Sequence, residues 1–221
     1  MKIVAYANAR AVCLFPIEEF APLAGTSERT MLMHIAARYK FTRTPDLGMS
    51  REELEKKGLV FDHGELMGMA EQPIQIHQMS IYRDGVVVSA PTTDAATIVF
   101  NDAHDWLVAE FGFRAVAPTR LYLSEVVVDF ERPLSKLFKD FAKVQELAMR
   151  HVVEDSREAE NVAIESLDFK YWLRGSGTDI PRFIIDRRAG AGPEQERYFC
   201  SAPLQTKHHV EVLADIEKLL S

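Results

Sequence analysis

The stretch from Ile74 to Phe113 constrains the fold more than any other part of the chain. It opens with Ile74-Gln75-Ile76-His77-Gln78-Met79-Ser80-Ile81-Tyr82, a mostly alternating run rich in β-formers. Arg83-Asp84-Gly85 follows, and Asp84-Gly85 predicts a tight turn because both residues tolerate positive φ. Val86-Val87-Val88 is a β-branched return strand. Its unbroken apolar character predicts burial on both faces and a central place in a sheet. Pro91 stops the strand, and Thr92, Thr93 or Asp94 caps a helix.

Apolar residues at Ala95, Ile98, Val99, Ala103, Trp106, Leu107 and Phe111 give that helix one broad buried face, and Gly112 ends it. Asn101, Asp102, His104 and Asp105 fall off the stripe. They read as a solvated acidic face, because adjacent helical residues point apart and make poor joint metal ligands.

The same alternation of paired strands and helices runs along the chain. Lys2 to Tyr6 and Ala9 to Phe15 read as a strand pair or one long broken strand. Thr26-Ser27 caps a helix whose apolar face is Met31, Leu32, Ile35, Ala36 and Tyr39. Phe41 to Thr44 reads as a short strand ending at Pro45. Ser50-Arg51-Glu52-Glu53 is a capping box before a short charged helix. Leu59-Val60-Phe61 and Leu66 to Met69 read as two strands joined through His63-Gly64. Arg120 to Phe130 is another strand, and Pro133 opens the longest predicted helix, running to Val152. Val162 to Leu173 and Arg182 to Arg188 pair as strands across Gly175-Ser176-Gly177. The loop Ala189 to Pro193, a short strand at Tyr198-Phe199-Cys200 and an amphipathic helix from Gln205 to Leu220 close the chain.

This pattern predicts an α+β fold: a largely antiparallel sheet of hairpins packed with three to four amphipathic helices. A single domain over residues 1–221 is expected, with a soft boundary near 151–161, because the last hairpin and helix are too small to bury a core alone.

Composition excludes several functions. The net charge of -7 argues against non-specific nucleic-acid binding, which needs a basic footprint. No apolar run approaches the ~20 residues of a membrane span, and Met1 to Phe15 lacks the marks of a signal peptide. A soluble, cytoplasmic protein of bacterial type is expected, with no membrane partner. The 2 cysteines, Cys13 and Cys200, are too few for a disulfide scaffold or a cysteine-rich zinc site and read as buried thiols. Among the 7 histidines there is no HExxH or His-x-His pair, so no metal is assigned. His77 reads as a core histidine, and only one of His208 and His209 can share the buried face of the last helix.

Three places hold candidate chemistry. Arg187 and Arg188 beside Gly190 and Gly192 resemble a phosphate cradle of guanidinium forks and backbone amides. The spacing fits neither the Walker loop nor the dinucleotide fingerprint, and no helix follows the glycines. Asp168 and Lys170, two apart on one predicted strand face, have the form of an acid and lysine that hold Mg²⁺ and steady a water. Such a site needs a second acid: Asp155 is the nearest upstream, in a polar helix end or loop, and Glu125 and Asp129 are alternatives from another strand. Tyr171 and Trp172 put aromatics on opposite strand faces, the pattern of an interface. No nucleophile elbow occurs, and no cofactor is assigned.

The expected function is therefore a non-catalytic cytoplasmic protein-interaction or assembly subunit, homo-oligomeric and most simply a homodimer. The alternative is a phosphate-directed enzyme or nucleotide sensor using the Arg-rich glycine loop. A third reading is an accessory subunit of a mobile-element or defence system.

Overall fold

The computed structural model describes residues 1–16, 27–46, 57–67, 73–134, 136–137, 166–169, 182–192 and 195–220. Its elements are β1 (Lys2–Leu14), α1 (Glu28–Arg38), β2 (Leu59–Met67), β3 (Pro73–Tyr82), β4 (Gly85–Ala90), α2 (Thr93–Phe111), β5 (Thr119–Asp129), β6 (Ser166–Phe169), β7 (Phe183–Arg187), β8 (Arg197–Ala202) and α3 (Thr206–Leu219). The fold is mixed α and β. The strands form one eight-stranded antiparallel sheet in the order β2-β3-β4-β1-β5-β8-β7-β6. Three α-helices fall among the described residues. The capping box at Ser50 and nearly all of the long helix expected from Pro133 to Val152 lie outside them, as does the boundary near 151–161.

By contacts the chain forms two compact units. One comprises Met1–Ala5, Glu125–Pro203 and Lys207–Ser221; the other comprises Tyr6–Ser124 and Leu204–Thr206.

In the second unit the expected hairpin is β3–β4, with Met79 opposite Val88 and Tyr82 opposite Gly85. The two turn residues are therefore Arg83 and Asp84. Gly85 is the first residue of β4, at φ 146°, rather than part of the turn. Its role is clearance: a Cβ there would lie 2.0 Å from the Cys13 carbonyl oxygen of β1. β4 sits between β3 and β1, and five of its six residues are buried, as an unbroken valine run requires. β1 is one strand, and Ala9, Ala11 and Cys13 alternate into the core against Ala90, Val88 and Val86.

β2 is likewise one strand, and His63-Gly64 is no turn. His63 holds a left-handed φ of 54° within the strand. Gly64 leaves room for Phe41, since a Cβ there would meet that ring at 2.6 Å. The segment from Tyr39 to Arg43 lies along β2, with Glu65 N–H donating to the Tyr39 carbonyl at 2.8 Å and Arg43 bridging Asp62.

α2 is capped by the Thr92 hydroxyl, which accepts from Ala95 N–H at 3.2 Å, and ends at left-handed Gly112. Its buried face is Ala96, Val99, Phe100, Ala103 and Leu107. Val99, Ala103 and Leu107 lie on the face expected, and Ala95, Trp106 and Phe111 pack against the core beside them; the differences are Phe100, which turns in against Phe15, and Ile98, which is 50% exposed. α1 starts at Ser27, whose hydroxyl accepts from Thr30 N–H, and buries Leu32 and Ile35. It ends in a Schellman motif: Phe41 N–H donates to Ala36 O and Lys40 N–H to Ala37 O. Lys40, at φ 49°, occupies the position that glycine usually takes.

In the first unit, β6, β7 and β8 form a meander with Phe169 opposite Phe183 and Ile185 opposite Cys200. The core of this unit includes Val126, Val128, Phe130, Leu134, Phe183, Ile185, Tyr198 and Leu213.

Candidate functional site

The glycine loop joins β7 to β8, and its polar groups bond chiefly to one another. Arg187 Nη1 lies 3.7 Å from a Glu196 carboxylate oxygen, and Nη2 donates to the Gln195 carbonyl at 3.2 Å. Tyr198 donates its hydroxyl proton to the second Glu196 oxygen at 2.6 Å and accepts from Leu134 N–H. Burial pushes the Tyr198 phenol up to about 12, with the Glu196 hydrogen bond adding to it. Ala191 N–H donates to the Arg188 carbonyl at 3.1 Å and Gln195 N–H to the Gly192 carbonyl at 2.9 Å. Gly190 is left-handed at φ 83°, and nothing lies within 4 Å of a Cβ placed on Gly190 or Gly192. Arg187 and two of the loop amides are thus engaged inside the hairpin, while Arg188 is exposed. A phosphate cradle needs guanidinium and amide donors turned outward together.

Asp168 lies on β6 opposite Ile184 and pairs with Arg182 at 2.8 Å. Ile184 and Arg187 are three apart on β7, so Asp168 and Arg187 face opposite sides of the sheet, about 10 Å apart along the strand. Asp129 is held by Arg197 through two hydrogen bonds of 2.7 and 2.9 Å. That guanidinium holds the Asp129 carboxyl below the usual carboxylate range. Asp155, Lys170, Tyr171 and Trp172 lie outside the described residues. Among the described residues no group of three or more His, Cys, Asp or Glu side chains converges to hold a metal.

An aromatic line leads to the sheet edge. The ring of buried His209 on α3 meets Phe183 edge-on at 5.5 Å. Phe183 stacks on Phe169 at 4.7 Å with the rings 11° from parallel. Phe169 is 44% exposed, and β6 is the terminal strand among the described residues. Phe183 and His209 are thus buried, and the line ends on one half-exposed aromatic ring, Phe169. Of the last helix's two histidines one is buried, and it is His209; His208, through which the apolar face was expected to run, is exposed.

Other polar constellations were not legible in the sequence. Arg38 grips Asp102 through Nε at 3.1 Å and Nη2 at 3.0 Å, and Tyr39 donates its hydroxyl to Asp102 at 2.7 Å. The Arg38 guanidinium also covers the Trp106 ring at 4.8 Å. Burial, with Asp102 adding, holds the Tyr39 phenol protonated far above its ordinary range. His104 Nε2 accepts from Val116 N–H at 3.2 Å while Nδ1 lies 2.9 Å from Asp105. The acidic stripe of α2 is therefore a set of clamps rather than a merely solvated face. His77 Nδ1 lies 3.3 Å from Asn8 Oδ1, a side-chain partner, and burial lowers its pKa.

Both cysteines are free and buried. Desolvation pushes Cys13 up to about 11 and Cys200 up to about 12, which keeps both as thiols at neutral pH. Two clefts share Leu14, Phe15 and Pro16: one of about 670 Å³ beside Arg114, the other of about 460 Å³ beside Arg83 and Asp84. Among the described residues no helix is long and apolar enough to cross a membrane. No family model matches this chain, and no curated protein matches it.

Proposed function

We propose that this chain is a non-catalytic cytoplasmic subunit of bacterial type that works through protein contacts and self-assembles at the β6 edge, most simply as a homodimer. The observation that carries the reading is the half-exposed Phe169 ring, stacked on Phe183 on the strand that ends the sheet among the described residues. An edge strand offers unpaired backbone groups, and an antiparallel copy of itself satisfies them under two-fold symmetry. In the sequence Phe169 is followed by Lys170-Tyr171-Trp172, two further aromatic residues within three positions. Aromatic residues are enriched where interfaces bury their centres.

Native mass spectrometry of the purified chain tests this. A homo-oligomer is expected, with Phe169→Asp and Trp172→Asp both shifting it to monomer while the circular dichroism spectrum stays unchanged. A monomeric parent, or variants of unchanged mass, would sink the proposal. The phosphate-directed alternative predicts that nucleotides or divalent metal raise the melting temperature through Arg188 and the glycine loop. It is the less supported reading, because Arg187 is already held by Glu196 and Gln195.

A further inference from the structure

We infer that the outer side of the β2–β3 pair carries a binding site for a divalent transition-metal ion of the copper, nickel and zinc class, with His63 and His77 as its ligands. The two histidines hold opposite places in the ladder, between the pairs Asp62–Gln78 and Gly64–Ile76. A regular strand turns one side chain outward between two that face the core. Here each strand turns two. On β2, Phe61 is buried and a Cβ on Gly64 would meet the buried Phe41 ring at 2.6 Å, so Asp62 and His63 lie between two core-facing positions. On β3, Ile76 and Met79 are buried, with His77 and Gln78 between them. The flanking pair meets on that outer side, where Gln78 Nε2 donates to Asp62 Oδ1 at 2.9 Å, and His63 is exposed.

The backbone of His63 carries the irregularity. Its φ of 54° is left-handed, one of two such non-glycine cases among the described residues, and a side chain in that conformation has a steric cost. Strain of this kind persists where a side chain has to be placed. What it places here is a second imidazole beside the first.

His77 is prepared as a ligand. Its Nδ1 lies 3.3 Å from Asn8 Oδ1, and an amide oxygen accepts, so Nδ1 carries the proton and Nε2 keeps its lone pair. Asn8 Oδ1 is itself fixed by the Ser89 hydroxyl, which donates at 2.6 Å. Metal-binding imidazoles are held in this way, the second ring nitrogen donating to an oxygen that sets tautomer and ring plane. Burial lowers the His77 pKa and the neighbouring His63 lowers it further, which favours the neutral form that ligates.

Ligand chemistry selects the ion. Imidazoles suit Cu²⁺, Ni²⁺ and Zn²⁺, whereas Mg²⁺ and Ca²⁺ prefer oxygen. Among the described residues no third His, Cys, Asp or Glu joins the pair, so water fills the remaining positions and the ion stays open to a further donor. With one ligand from each strand, the ion ties β2 to β3 where both are irregular.

Isothermal titration of the full chain with Cu²⁺, Ni²⁺ and Mn²⁺ tests the inference. Saturable binding at a single site is expected, tightest for Cu²⁺ and weakest for Mn²⁺. His77→Gln and His63→Asn should each weaken Ni²⁺ binding by more than about tenfold, the loss that removing even an outer partner brings. Asparagine is the choice at 63 because it accepts left-handed φ. Asn8→Leu leaves both rings in place and should weaken binding about tenfold, while Asn8→Asp keeps an oxygen on Nδ1 and should bind at least as tightly as the parent. His208→Gln should match the parent. Melting curves without metal check that each variant folds. The Ni²⁺-dependent rise in melting temperature should vanish in His77→Gln, which leaves the glycine loop untouched. No binding, Mn²⁺ bound as tightly as Cu²⁺, or unchanged Ni²⁺ binding in His63→Asn or His77→Gln would overturn the inference.

Discussion

Thr93 and Thr206, 113 residues apart, exchange hydrogen bonds: Thr93 N–H donates to the Thr206 hydroxyl at 3.0 Å, and Thr206 N–H donates to the Thr93 hydroxyl at 2.8 Å. Both residues are buried. Each hydroxyl therefore serves a helix-start N–H that has no intrahelical acceptor. Thr206→Val keeps the shape and strands the Thr93 N–H. An unsatisfied buried donor costs about 1–3 kcal/mol. The urea midpoint should fall accordingly, and Thr93→Val should behave alike. A double-mutant cycle should show the two losses to be strongly non-additive. Independent, additive losses would show that the pair does not act as a unit.

Gly85 and Gly112 give a contrast between clearance and conformation. Gly85→Ala drives a Cβ into the Cys13 carbonyl, 2.0 Å away, at a φ of 146°. β1 must shift, and the expected loss is roughly 3 kcal/mol or more. Gly112 is left-handed at φ 62° with nothing within 4 Å of an added Cβ. Gly112→Ala should cost only about 1–2 kcal/mol, the left-handed penalty alone. Equal melting temperatures for the two variants would contradict the assigned roles.

Acid stability should depend on Asp129. The hydrogen bonds from Arg197 lower its folded pKa. A depressed carboxylate contributes stability that is fully present above its unfolded pKa of about 3.9 and is lost as pH falls through the lower folded value. Unfolding followed from pH 6 down to about pH 2 should show this contribution fade below about pH 4. Asp129→Asn, which does not titrate, should lack that component, and a superimposable profile for parent and variant would refute the assignment.

The cysteines should be chemically silent in the folded protein. With Cys13 raised to about 11 and Cys200 to about 12, almost no thiolate exists at pH 8. Ellman's reagent should label neither in buffer and both in denaturing urea. Prompt labelling of the native chain would place a thiolate where burial forbids one.

The local signals proved the legible ones. The β3–β4 hairpin, the valine run of β4, the Thr92 cap and Gly112 end of α2, and the amphipathic α3 follow from residues that are neighbours in sequence. His63-Gly64 misled because glycine serves two needs. It eases turns, and it makes room, here for the Phe41 ring. Gly85 misled for the same reason. The end of α1 carries no glycine to mark it, since Lys40 occupies that position. The face of α2 was legible except at Phe100, which turns in against Phe15, far away in sequence, and at Ile98, which is exposed.

At the candidate site the sequence supplied the charges but not their partners. Arg187 looks like a free phosphate ligand until β8 brings Glu196 beside it. Asp129 looks like a metal acid until Arg197, 68 residues on, closes over it. Asp102 looks solvated until Arg38, 64 residues earlier, arrives. Such pairings depend on strand order and helix placement, which no local spacing encodes. The open face of Phe169 is equally a property of the sheet's order, not of its own four-residue strand.

The Arg38 guanidinium over Trp106 gives the molecule an optical gauge of its own. The chain has 2 tryptophans, and this one is boxed by Arg38 above, Tyr39 at 89° and Phe111 at 82°. Indole emission is sensitive to a nearby cation and to water. Its colour and intensity therefore register whether α1 is seated on α2. With Trp172 replaced by phenylalanine, a single emission band reads out that one contact in real time, and loosening of α1 becomes visible without any added label.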